Sequence, residues 1–132
     1  TLAHDKTHIA RAALEGIAFQ VTDVVDAMVS DSGVSLSSMR VDGGVCQSNP
    51  LLQSQADLLG TSVLRPQNIE TTALGAAIAA SIGSGSHKLE DFKRSDEVEV
   101  FETAMDEDTR AKAKSNWKRA VESSLEWADR GL

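Results

Sequence analysis

A pair of glycines between a short strand and a helix is the feature of this sequence best suited to ligand chemistry. Asp42-Gly43-Gly44 follows the predicted short strand Ser38–Val41, and Asn49-Pro50 then begins a helix with Asn as the predicted N-cap and Pro in the first turn. Glycine lacks a Cβ and accepts positive φ, so it permits both a tight turn and close approach of the backbone to a flat ligand. The pattern predicts a backbone-lined ligand notch, although a simple turn fits the same residues and is common.

Two side chains beside these glycines are candidates for chemistry. Asp42 is a candidate general base, but we favour a structural role in which its carboxylate accepts hydrogen bonds from backbone amides of the turn. Cys46 is the single cysteine, which excludes an intrachain disulfide. No histidine neighbours it in sequence, so a small packing residue is favoured over a nucleophile. The sequence therefore predicts no self-sufficient catalytic constellation.

Two other kinds of ligand site find little support in the sequence. His4 and His8 lie one helical turn apart, a spacing that suits a metal ion, but no cysteine or carboxylate completes the ligand set. We therefore expect no metal site. The chain also has no glycine-rich loop that ends in Lys-Ser or Lys-Thr, which excludes a P-loop protein.

Composition limits the class of protein. The chain has 132 residues, of which 41% are hydrophobic, enough for the core of one domain. Its net charge of −7 disfavours nucleic-acid binding. No apolar run approaches the roughly 20 residues that span a bilayer. The single cysteine favours a reducing, cytoplasmic location. The absence of an initial Met indicates either a piece of a longer chain or a processed chain.

Helices alternate with short strands, which predicts an α/β layer arrangement. The predicted helices cover about Lys6–Ser30, Asn49–Leu59, Ala73–Ile82 and Asp106–Asp129, and the strands cover Ser38–Val41, Ser62–Arg65 and Glu97–Phe101. Glycines 33 and 60 are predicted to end the first two helices. The buried stripe of the first helix is predicted to be Ile9, Ala13, Ile17, Val21, Val24 and Met28. The inner face of the last helix is predicted to be Ala113, Trp117, Val121, Ser124 and Ala128.

The predicted helix Ala73–Ile82 is crowded with small residues. Such a smooth surface suits tight internal packing, which is the favoured interpretation. It also suits a helix that slides or hinges against a partner domain.

Several of these segments occur in an order and spacing found in a known family. They are His8–Gln20, Arg40–Gly44, Leu51–Gly60, Glu70–Ala77 and Asn116–Val121. Together they resemble the FGGY carbohydrate kinases over nearly the whole chain. The resemblance implies a fold of two actin-like, ribonuclease-H-like ATPase domains around a cleft. Residues 1–132 would form the C-terminal part of the second, nucleotide-binding domain, and the N-terminal substrate domain would lie outside this chain.

The same resemblance implies a reaction. In it the γ-phosphoryl group of ATP is transferred, with Mg²⁺, to a terminal hydroxyl of glycerol, which binds to the absent N-terminal domain. Another FGGY sugar kinase acting on a pentulose, hexulose or gluconate, a non-catalytic nucleotide-binding module and a purely structural fragment are the alternatives. The catalytic residues and most Mg²⁺ ligands would lie upstream of Thr1, so this chain alone is expected to be inactive. The sequence does not give the oligomeric state, and a homo-oligomer of the full-length protein is one expectation.

Site residues are carried over by position. Gly43 and Gly44 would lie against the adenine and ribose of ATP or ADP, with Val45 in the same site. The family usually has an Asn four residues after the second Gly, where this sequence has Ser48 followed by Asn49. Either of these two residues would then contact adenine.

A second set of residues is carried over to the small-residue helix. Ala73, Gly75 and Ala76 match the family's Thr-Ala-Leu-Gly-Ala-Ala segment. The resemblance implies that this helix is an interdomain hinge, which moves as the cleft closes.

Overall fold

The computed structural model describes residues 3–92 and 97–125, in which helices and strands alternate as predicted for an α/β fold. The elements are α1 (Lys6–Ser32), β1 (Ser38–Arg40), α2 (Asn49–Leu59), β2 (Ser62–Pro66), α3 (Thr71–Gly83), β3 (Val98–Phe101) and α4 (Glu107–Ser124). Short 3₁₀ helices cover Gly44–Gln47 and Leu89–Asp91. The boundaries of α2 are those predicted from its Pro and Gly signals.

The three strands form one mixed sheet in the order β1-β2-β3. β1 and β2 are parallel, with Met39 opposite Val63. β3 is antiparallel to β2, with Phe101 opposite Val63. Parallel pairing places the carboxyl ends of β1 and β2 at the same edge of the sheet, where ligands of open α/β sheets bind.

Helix α2 lies at the centre of the packing and buries residues on two sides. Leu52 and Ala56 are fully buried and pack with Val63 and Phe101 of the sheet. Leu51 and Leu58 face the other way, towards α1 and α4. Helix α2 therefore connects the sheet on one side to α1 and α4 on the other.

The packed face of α1 differs from the predicted stripe. Ile9, Ile17, Val24 and Met28 are between 41% and 71% exposed, whereas Ala18 and Thr22 are buried. The small side chain of Ala18 packs in one cluster with Leu51 and Leu58 of α2, and the Thr22 hydroxyl donates to the Ala18 carbonyl at 2.8 Å. The prediction was wrong because hydrophobic periodicity finds a helical stripe but does not determine which face meets a neighbour.

The ends of α1 follow the sequence signals. Gly33 has φ 67° and its N–H donates to the Val29 carbonyl, so the helix ends as predicted. At its beginning Asp5 accepts hydrogen bonds from Thr7 and His8. The Thr7 hydroxyl and the His8 ring lower the pKa of Asp5 to about 2.

Helix α4 docks on α1 through an aromatic pair. The Trp117 ring stacks on Phe19 at 5.0 Å between centroids, and its indole N–H donates to Asp23 at 2.7 Å. Ala113, Trp117 and Val121 are partly buried as predicted, whereas Ser124 is exposed. The predicted contact of Ala128 lies outside the described residues.

Candidate functional site

Two loops meet at the carboxyl edge of the parallel strands. The loop after β1 contains Gly43, whose N–H donates to the carbonyl of Ile69 in the loop after β2, at 2.9 Å. The N–H of Val41 donates to Leu64 at 3.0 Å and extends the pairing of the strands. The predicted glycine turn is therefore attached by its backbone to the neighbouring loop.

The Gly43–Gly44 turn presents bare backbone to open space. Gly43 has φ 87° and ψ 167°, a conformation that essentially only glycine adopts without strain. A Cβ built on either glycine would meet no heavy atom within 4 Å. A backbone hydrogen bond closes the turn, because the Cys46 N–H donates to the Gly43 carbonyl at 3.0 Å. This geometry provides an open and preformed surface against which a flat group can pack.

The residues after the glycines lead from the turn into α2. Val45 is 60% exposed. Ser48, and not Asn49, is the N-cap of α2, because its hydroxyl oxygen accepts from the Leu51 N–H at 3.4 Å. The predicted cap at Asn49 was one residue late, and Asn49 is the exposed first residue of the helix.

Asp42 is held by a side chain from α3. Its carboxylate accepts a hydrogen bond from the Thr71 hydroxyl at the beginning of that helix. The predicted structural role therefore has a different partner, a hydroxyl 29 residues away, where backbone amides of the turn were expected.

A cavity of about 660 Å³ lies between Asp42 and α3. The remaining lining residues are Arg40, Val41, Pro66, Gln67, Asn68, Thr71, Leu74, Ile78, Leu89 and Phe92. None of the carried-over residues from Gly43 to Asn49 lines this cavity, although Asp42, the neighbour of Gly43, does.

Cys46 has the environment of a packing residue. Its side chain is buried, and the thiol donates to the Asp42 carbonyl at 2.8 Å. Burial, and next the negative charge of Asp42, raise the pKa of this thiol. A protonated thiol is a poor nucleophile, which agrees with the packing role.

Comparison with known proteins identifies the family. Residues 1–84 match the model of the C-terminal domain of the FGGY family of carbohydrate kinases. This chain belongs to the FGGY family of carbohydrate kinases. It is 52% identical over 128 residues to the glycerol kinase of Dechloromonas aromatica, and 50% identical over 126 residues to that of Brachyspira hyodysenteriae. Both alignments cover 94% of this chain, and it spans about a quarter of the length of these curated relatives.

A solved structure shows the same fold. The crystal structure of Plasmodium falciparum glycerol kinase with ADP matches 95% of this FGGY chain and 26% of its own chain, with 37% identity and a TM-score of 0.76. The predicted fold class, part of an actin-like ATPase domain of the FGGY type, is confirmed.

The small-residue helix of this FGGY domain, α3, is not packed internally. Its residues Ala73, Gly75 and Ala76 are exposed, and a Cβ at Gly75 would meet no heavy atom within 4 Å. Tight packing within the chain, the favoured interpretation of the sequence, was wrong for the described residues. Small residues allow another backbone to pack closely against a helix, but they do not indicate which segment or domain packs there.

Arg65 is a residue of this region that the sequence did not single out. Its Nη1 donates to the Cys46 carbonyl at 2.7 Å, and its Nε donates to Glu99 at 3.2 Å. Arg65 is the last residue before Pro66 in β2. No local sequence pattern indicates that its side chain donates a hydrogen bond to the backbone carbonyl of Cys46.

A carboxylate lies beside the histidine pair, which the sequence did not indicate, because Asp5 contacts the His8 ring at 2.9 Å. His4 and His8 make an edge-to-face ring contact at 5.2 Å, and His8 also completes the cap of α1 with Asp5. Within residues 3–92 and 97–125, no cluster of three His, Cys, Asp or Glu side chains is arranged to hold a metal ion. None of the helices in this described part combines the length and apolar character needed to cross a membrane.

Proposed function

We propose that this chain is the adenine-nucleotide-binding part of a glycerol kinase. The full-length protein would transfer the γ-phosphoryl group of ATP to a terminal hydroxyl of glycerol, giving glycerol 3-phosphate. The observation that carries the proposal is the open glycine turn at the carboxyl edge of parallel strands. The curated glycerol kinases that share about half of its residues support the choice of substrate.

In this proposal the adenine and ribose pack on the Gly43–Gly44 backbone. The absence of side chains there allows the ring to approach within van der Waals distance, and the exposed Val45 supplies an apolar neighbour. The Ser48 oxygen accepts from Leu51, which leaves its hydroxyl hydrogen to donate to a ring nitrogen. Asn49 is the alternative partner, because its exposed amide both donates and accepts. The ADP bound by the Plasmodium enzyme supports this choice of ligand.

The rest of the reaction is assigned to groups outside this chain. Phosphoryl transfer depends on positioning and on charge stabilisation around the phosphates. Most ligands of Mg²⁺ are likewise proposed to lie outside this chain. We propose that residues 1–132 complete the nucleotide-binding domain, and that the exposed face of α3, with Ala73, Gly75 and Ala76, serves as the hinge. Isolated residues 1–132 would then lack kinase activity, and the parent enzyme would act in the cytoplasm.

A substrate panel on the full-length protein tests this function. ATP is supplied with glycerol, xylulose, ribulose or gluconate, and ADP formation is measured. We expect turnover with glycerol to exceed turnover with the other three. Turnover with a sugar and not glycerol would reassign the substrate within the family. No turnover with any acceptor, together with unchanged amide resonances of Gly43 and Gly44 on addition of ADP, would refute the nucleotide site.

A further inference from the structure

We propose that Arg65 is a positioning residue that fixes the shape of the glycine turn for nucleotide binding. This inference rests on the proposed function, because it assigns Arg65 to the same site. Arg65 lies in β2 and would not touch the nucleotide itself. It would act through the backbone of Cys46, the residue on which the turn closes.

Arg65 binds the turn through the backbone carbonyl of Cys46. Its Nη1 donates to the Cys46 carbonyl at 2.7 Å, and the Arg65 side chain is only 16% exposed. A hydrogen bond from a charged donor is stronger than a neutral one, and partial burial reduces competition from water. This carbonyl belongs to the peptide that joins Cys46 to Gln47. Its orientation therefore influences how Val45 and Ser48 are placed around the open surface.

The guanidinium is itself fixed by β3. Glu99, which lies opposite Arg65 in the antiparallel register, accepts from Nε at 3.2 Å and also from Nη2. The guanidinium carbon lies 5.2 Å from the centre of the Phe101 ring. The planar fork of arginine can bind a carboxylate and a carbonyl in fixed directions at once, whereas lysine has a single charged nitrogen. Arg65 therefore joins the sheet to the turn as a rigid strut.

Loss of this strut would loosen the turn without unfolding it. Two hydrogen bonds of Cys46 would remain. Its N–H would still donate to the Gly43 carbonyl, and its thiol would still donate to the Asp42 carbonyl. A turn that samples several conformations must be ordered when ligand binds, and that cost lowers affinity. The effect should be specific to the nucleotide, because glycerol is proposed to bind outside this chain.

The test is steady-state kinetics on the full-length enzyme and three variants. For Arg65→Gln we expect the KM for ATP to rise about fivefold to tenfold, with kcat and the KM for glycerol within about twofold of the parent. Arg65→Lys should raise the KM for ATP by a smaller factor. Glu99→Gln is the matched control. It removes the charge of the ion pair but keeps an oxygen that can accept from the guanidinium, and the bond to the Cys46 carbonyl stays, so its KM for ATP should rise less than that of Arg65→Gln.

Each outcome decides between positioning and mere stabilisation. An unchanged KM for ATP in Arg65→Gln, with or without a lower Tm, would overturn the inference. So would an equal rise in Glu99→Gln, because the ion pair would then be responsible. If Arg65→Gln does not fold, an unchanged KM for ATP in Arg65→Lys is the overturning result. A parent enzyme that neither binds ADP nor consumes ATP would refute the proposed function, and this inference with it, before any variant is compared.

Discussion

Replacing Gly44 by alanine should weaken nucleotide binding without weakening the fold. A Cβ at Gly44 meets no heavy atom within 4 Å, and Gly44 does not have a positive φ. Alanine therefore fits the free protein, and the change in the free energy of unfolding should stay within about 0.5 kcal/mol. The added methyl group would occupy the open surface on which adenine and ribose are proposed to pack.

The expected loss of affinity follows from the distance dependence of packing. Carbon atoms in contact lie about 3.5–4.0 Å apart, and a gap of about 1 Å forfeits up to half of each contact energy. A methyl group displaces a flat ligand by at least that amount. We therefore expect about a tenfold rise in the dissociation constant for ADP, equivalent to about 1.4 kcal/mol.

Two other glycines separate the effect of backbone strain from that of lost contact, and Gly33 is the matched control. Gly43→Ala should cost about 1–3 kcal/mol of stability, because its φ of 87° strains any side chain even in open space. Gly33→Ala, at the end of α1, has a similar positive φ of 67° and similarly open surroundings, but lies away from the turn. It should lower Tm without changing affinity for ADP.

The assay is calorimetric titration of the full-length protein with ADP, together with thermal unfolding without nucleotide. Gly44→Ala should bind ADP about tenfold more weakly at an unchanged Tm. Parent-like affinity in a folded Gly44→Ala variant would show that the ligand does not approach this face. Weaker binding in Gly33→Ala would show that the titration reports general stability and not the site.

Three further predictions follow from the packing. Gly60→Ala should destabilise the protein by more than Gly85→Ala. Both glycines have positive φ, but a Cβ at position 60 would lie 2.7 Å from Arg110, whose guanidinium donates to the Asp57 and Met105 carbonyls and would lose these hydrogen bonds by moving away. Equal Tm losses in thermal unfolding would contradict this. Cys46 is buried, and burial raises the pKa of its thiol. At pH 7 the folded 132-residue chain should therefore react with a thiol reagent far more slowly than the urea-unfolded chain, and its rate should rise towards higher pH. Equal rates at pH 7 would refute the burial. Leu52→Ala should cost about 2–5 kcal/mol in urea unfolding, because this side chain is fully buried between α2 and the sheet; a loss below 1 kcal/mol would mean that the core refills the cavity.

Elements with local signals were predictable from the sequence. Pro50 and Gly60 bracket α2, and the helix has the predicted boundaries. Gly33 ends α1 in the left-handed conformation. These features depend on the φ preferences of one or two residues, which any tertiary environment preserves. The glycine turn belongs to the same class, since Gly43 adopts a backbone conformation that excludes most other residues.

Packing faces were not predictable in this way. Ile9, Ile17, Val24 and Met28 of α1 are exposed, whereas Ala18 and Thr22 are buried, because the position of α2 decides which face is covered. Helix α3 has the composition of a packed helix but exposes Gly75 within the described residues. An apolar stripe in the sequence indicates that one face of a helix packs against another element. Which element that is depends on the tertiary structure.

The sequence by itself determined the strand, the glycine turn and the helix that follow one another from Ser38 to Leu59, because each depends on local backbone chemistry. Only the tertiary structure decided what holds that turn. Arg65 reaches Cys46 from 19 residues away, and Thr71 reaches Asp42 from 29 residues away. Both contacts exist because parallel pairing of β1 and β2 brings the ends of two distant segments to one edge of the sheet.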